Sequence, residues 1–113
     1  MDDVFNKEKA ARHTADDLGL LKELLTFTLE DVPVMLKELE ELSWEETDKA
    51  AQIAHKIKGS AGAVSGEKLF AAAFELEETA KEGDSSRLEE LYLFMCESFN
   101  EFKDDRDVKA LLA

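Results

Sequence analysis

"ETDKAAQIAHKIKGSAGA", residues 46–63, decides what kind of chain this is. Wound as a helix at about 100° per residue, it gathers Ala50, Ile53, Ala54, Ile57 and Ala61 on one side. That side faces a core. By the same geometry His55 falls roughly 145° from the centre of the apolar side and points to solvent. Ala51, Gln52, Gly59 and Gly62 share its outer strip, and Lys58 lies at the flank one turn on. A glycine inside a helix costs about 1 kcal/mol relative to alanine. Two glycines beside an exposed imidazole therefore ask for a reason. One reason is the close approach of a partner surface, since glycine removes steric cover. The other is tight packing on a neighbouring helix, or early helix termination. Spacing does not choose between them.

Charge adds a second observation. The chain carries 27 acidic and 14 basic residues, a net charge of −13, yet no Asp or Glu occurs from Lys49 to Gly66. Lys49, Lys56 and Lys58 all fall in that window. Such a patch tolerates an added anion, and Lys58 is placed to pair with one. A free imidazole is partly neutral near pH 7 and can act as a nucleophile. No serine or cysteine has the setting of a hydrolytic nucleophile. His13 is far away in sequence and reads as a decoration of a helix end. Gln52 stands three before His55, where a di-metal bundle would place a glutamate. The residues call for no metal and no cofactor.

Outward from this segment the chain reads as helices joined by short breaks. Ser43 and Glu46 form a capping box before it. Upstream, "DLGLLKELLTFTLEDVPVMLKELEEL" repeats its apolar residues at three and four up to Leu42. Pro33 inside it either kinks one long helix or starts a second after Asp31. Residues 4–12 suggest a short first helix, and Thr14 to Asp17 supply an N-cap for the next. Downstream, Ser65 and Gly66 mark a boundary. "EKLFAAAFELEETAKEG" then forms a helix closed by Gly83. Asp84 or Ser85 caps a last helix carrying "LEELYLFMCESFNEF". The tail at 104–113 extends that helix, docks or frays. No stretch alternates with period two. The fold class is all-α: an up-down antiparallel four-helix bundle with a short additional N-terminal helix. One domain spans 1–113, with 1–14 as a lead-in.

The composition excludes several classes. The acidity makes nucleic acid and anionic membranes poor partners. The longest apolar run, "LYLFMC", is too short to span a bilayer, and the N-terminus lacks the apolar region of a secretory signal. Cys96, the single cysteine, can form no internal disulfide and reads as a small buried hydrophobe. A cytoplasmic location is expected.

"AHKIKGSAGAVSGEKL", with "ELEE" downstream, resembles the histidine-containing phosphotransfer (HPt) domain of two-component phosphorelays. The shared core is His55, Ile57, Lys58, Gly59 and Ser60, followed by Leu69 and the pair Leu76–Glu77. The likeness covers roughly residues 15 to 103. Ser65 and Gly66 stand where the family usually has a glycine and then a small residue. The resemblance implies that His55 accepts a phosphoryl group from a receiver-domain aspartate and passes it to an aspartate of another response regulator. Lys58 would stabilise the phosphoryl charge, and Glu77 would hydrogen-bond near the imidazole. Ala51, Gln52, Lys56, Gly59, Gly62, Phe70 and Phe74 would meet the partner. For the two phenylalanines, core packing is the competing reading. Magnesium would belong to the receiver. The implied partners are receiver domains and an upstream hybrid sensor kinase, with this chain a monomeric carrier and not an enzyme.

Two other functions fit parts of the sequence. A kinase dimerisation and phosphoacceptor domain usually has Glu after its histidine, with Arg and Pro following. Lys56 and Lys58 occupy that stretch here. A helical adaptor would use the acidic surface alone and would tolerate loss of His55.

Overall fold

The computed structural model describes residues 3–113. It is helical throughout, with no strand among the described residues. The elements are α1 (Lys7–His13), α2 (Leu18–Glu41), α3 (Thr47–Ala63), α4 (Glu67–Lys81), a 3-10 turn (Ser85–Arg87), α5 (Leu88–Lys103) and α6 (Arg106–Leu112). Helix α2 packs on α3, α3 on α4 and α4 on α5, and α5 closes back on α2. No described helix is long and apolar enough to cross a membrane.

Each helix starts and stops for local reasons. In α1, the Asn6 side chain accepts from the Lys9 backbone N–H at 3.0 Å, so the helix begins at Lys7 and not at Val4 as the apolar pattern suggested. Phe5 turns inward instead and meets Phe102 edge-on, with ring centroids 6.0 Å apart. Asp17 caps α2 by accepting from Leu20 N–H at 3.0 Å. Before α3, Glu46 accepts from Ser43 N–H, but Ser43 Oγ accepts from Glu45 N–H and not from Glu46. Only half of the expected capping box forms, and α3 begins at Thr47, with Glu46 at its N-cap and no side-chain cap bond.

Pro33 interrupts nothing: α2 is one helix of 24 residues. The proline is exposed, while Leu21, Leu25, Thr28, Val32, Leu36 and Leu39 are buried on one stripe. A proline deprives one carbonyl of its helical donor. Continuous packing of that stripe on both sides of the break holds the helix together. Thr28 hides its hydroxyl by donating to the Leu24 carbonyl at 2.9 Å.

Three helices end alike. After α1, α3 and α4 the chain turns through left-handed backbone: Ala15 (φ 51) followed by Asp16 (φ 63), Ser65 (φ 54) and Gly83 (φ 76). At each, two backbone N–H groups reach back to carbonyls of the last turn. After α3 these are Gly66 N–H to Ala61 O at 2.9 Å and Ser65 N–H to Gly62 O at 3.2 Å. This is the Schellman closure, which usually takes glycine at the left-handed position. Behind it, Gly66 lies against Phe102; a Cβ there would stand 3.0 Å from the ring.

The tail is ordered as α6. Asp105 caps it by accepting from Asp107 and Val108 N–H, and Val108 is fully buried. The helix contacts α2 and α5.

Candidate functional site

The seam between α3 and α4 is the most extensive helix contact in the molecule, and His55 lies on its edge. The buried residues of α3 are Ala50, Ala51, Ala54, Ile57 and Ala61. Ala51 was expected on the outer strip and Ile53 on the core side. Ala51 is in fact buried, while Ile53 is half-buried and packs against the core as expected. The cause is α4, which covers α3 on the Ala51 flank and shifts the centre of the buried arc toward itself. His55 keeps 67% of its side-chain exposure and reaches a partner across the seam.

That partner is Glu77. Its position on α4 is buried: 2% of the residue is exposed. His55 Nδ1 lies 2.9 Å from Glu77 Oε2. Lys58 Nζ lies 2.7 Å from Oε1, an ion pair whose angles fall short of a good hydrogen bond. Lys81 Nζ, one turn along α4, lies 3.3 Å from Oε2. Burial is the largest influence on this carboxyl and disfavours its charge. Lys58, His55 and Lys81 together outweigh it and bring the pKa down to about 2. Glu77 is therefore a carboxylate at neutral pH and can only accept. It follows that Nδ1 carries the proton and donates it to Oε2. In the neutral ring the lone pair then belongs to Nε2, which Glu77 does not engage.

Lys58 is less free than a surface lysine. Its side chain is 21% exposed, and its ammonium also sits over the Phe74 ring, 5.4 Å from the centroid. Phe74 and Phe70 are 47% and 38% exposed, so neither is a core residue. They line an apolar groove beside the seam, with His13 and Lys9 of α1 on its far wall. His13 is thus the exposed last residue of α1 and shares a groove with the two phenylalanines.

The two helix glycines have different reasons. A Cβ at Gly59 would meet nothing within 4 Å, so that position is open to solvent. A Cβ at Gly62 would stand 3.3 Å from the Phe70 ring. Gly62 therefore serves the close packing of α4 on α3. Gln52 and Lys56 are exposed beside His55, and with Ala51, Glu77 and Lys81 they line a shallow pocket of about 330 Å³.

The sequence missed two features of this site. Lys81 was not singled out, although its place four residues after Glu77 on a helix was a usable signal. The groove wall from α1 had no signal, because it depends on how α1 folds back. Cys96 is half-buried, its thiol pushed up chiefly by burial, and it lies one turn from Tyr92 on α5, away from this seam.

In comparisons with known proteins, the family model described as "Hpt domain" matches residues 5–108. No curated protein and no solved structure was found to match the chain.

Proposed function

The chain belongs to the Hpt domain family, and from that premise we propose that His55 is its phosphoacceptor, taking a phosphoryl group from one receiver-domain aspartate and giving it to another. The observation that carries this reading is the His55–Glu77 contact at 2.9 Å on an otherwise exposed imidazole. A buried carboxylate that fixes the Nδ1 proton presents the Nε2 lone pair outward. Nε2 attacks the phosphorus of an aspartyl phosphate; the Nε2–P bond forms as the acyl O–P bond breaks. The receiver's carboxylate leaves with the electron pair. The Nδ1 proton stays between the ring and Glu77, which balances the positive charge the ring acquires. Transfer onward reverses these steps on a second receiver.

Each remaining residue has a part in this reading. Lys58 holds Glu77 charged and in place. Gly59 leaves the approach to the ring open. Phe70 and Phe74 offer half-exposed apolar area beside the histidine, of the kind a partner covers. Gln52 and Lys56 flank the ring on its other side. The closed ring of neighbours α2, α3, α4 and α5, joined by short connections, supports an up-down four-helix bundle as the scaffold. In this reading the chain acts as a monomer in the cytoplasm. It carries the group without catalysing its transfer, while the receivers supply magnesium and an upstream hybrid kinase supplies phosphate.

The test is transfer from a panel of phosphorylated receiver domains. Label that is acid-labile and base-stable, present in the wild type and lost in His55→Gln, is the expected outcome. Label that persists in His55→Gln, or that no receiver delivers, overturns the reading.

A further inference from the structure

The outer face of α5 leaves two large apolar side chains in water. Leu93 is 58% exposed and Phe94 is 40% exposed. Both line an open groove of about 830 Å³, together with the half-buried Cys96. Glutamates frame them at one-turn spacing. Glu89 stands four residues before Leu93 and Glu97 four after it, and Glu90 stands four before Phe94. All three are exposed and line the groove. The cations on this side do not engage them: Arg87 pairs with Glu75, and Lys68 with Glu101. The positive end of the helix dipole accounts for Glu89 and Glu90, which lie in the first turn. It does not account for Glu97, in the second half of the helix, or for the exposed leucine and phenylalanine.

We propose that this face of α5 docks a cationic amphipathic helix of a partner protein, with Leu93 and Phe94 as the apolar centre and Glu89, Glu90 and Glu97 as the acidic rim. The inference does not depend on His55 being the phosphoacceptor.

Charge and shape select this occupant. An apolar centre inside a polar rim is the layout of a protein interface. The rim has one sign, so lysine or arginine on the partner matches it. Lys68 already makes such a contact at one edge: its ammonium lies 5.9 Å from the Phe94 centroid and 2.8 Å from Glu101 Oε2. The groove is lined only by residues between Ser86 and Asn100 and so runs along the helix. That span is about 21 Å at helical rise, enough for about four turns of a partner helix. A second copy of the chain does not fit, because each copy carries −13 and a two-fold contact would set glutamate against glutamate. An anionic bilayer is disfavoured by the same charge. Helix α5 packs on α4 and α2, which both pack on α3, so α3 lies across the bundle. A partner seated on α5 leaves the His55 seam uncovered.

The test titrates the full ¹⁵N-labelled chain with two synthetic peptides. One is an amphipathic peptide of leucine and lysine, with its leucines at helical spacing; the other keeps every lysine and replaces leucine by serine. Amide shifts centred on the outer face of α5 are expected with the leucine peptide alone. The double variant Leu93→Ser, Phe94→Ser is expected to bind it at least about tenfold more weakly. Glu97→Lys leaves the apolar centre in place and is expected to weaken binding as well. Phe27→Ser on α2 removes another exposed apolar side chain of the same acidic chain, 59% exposed, and is expected to change nothing. Shifts centred on α2 or on the His55 seam overturn the inference, as does equal binding of the serine peptide. So does a leucine peptide that the wild type does not bind, or that the double variant and Glu97→Lys bind as tightly as wild type.

Discussion

Glu77 is a buried acid that stays ionised, and this has a consequence for stability. Its folded pKa of about 2 lies below the ordinary value of 4.5. A carboxyl lowered on folding stabilises the native state above its unfolded pKa. That contribution is lost as pH falls from 4.5 toward 2. We expect the stability difference between wild type and Glu77→Gln, measured by urea unfolding, to shrink across that window. A difference that holds constant down to pH 2 would show that Glu77 is not the ion the geometry makes it. The histidine itself was legible in sequence from its exposure, its small neighbours and its acid-free window. Its bond to Glu77 was not legible from spacing, because the two are 22 residues apart on different helices. Only the family resemblance pointed to Glu77.

At the scale of elements, the joint between α3 and α4 holds a residue the backbone would not choose. Ser65 takes φ 54 in a left-handed closure and is buried, its hydroxyl without a hydrogen-bond partner among the described residues. A side chain in that conformation costs about 1 kcal/mol, and glycine removes the cost. Ser65→Gly is expected to raise unfolding stability by about 1 kcal/mol; a loss of stability would contradict this. Gly59 offers the complementary case. It is exposed with open space around it. Gly59→Leu should therefore gain up to about 1 kcal/mol of helix stability. It should also slow phosphotransfer by obstructing the approach to the ring. Unchanged transfer would remove the close-approach argument for that position. Of the three left-handed helix ends, the sequence marked the breaks at Gly83 and at Ser65–Gly66, but only Gly83 by a glycine in the left-handed position. Ala15 and Ser65 gave no glycine to read, and Pro33 left one helix or two open, which the packing of the α2 stripe decides in favour of one.

The whole molecule carries −13 on 113 residues, with no Asp or Glu in the sequence from Lys49 to Gly66. Surface ion pairs such as Lys68–Glu101 weaken with salt, but the excess of like charge weakens more. Raising sodium chloride from about 0.01 M to about 0.3 M shortens the screening length roughly fivefold. The urea midpoint is therefore expected to rise, and a fall would mean that specific ion pairs dominate. The all-helical class was legible because the apolar residues repeat at helical spacing in every segment. The docking of α6 was not, since a short tail is placed by Val108 finding the core rather than by any local signal. With the chain labelled by a phosphorylated receiver, ¹⁵N and ³¹P NMR read which ring nitrogen bears phosphorus. Phosphorus on Nε2 of His55, with Nδ1 still protonated, is what the Glu77 contact predicts. Phosphorus on Nδ1, on His13 or on no histidine would contradict it.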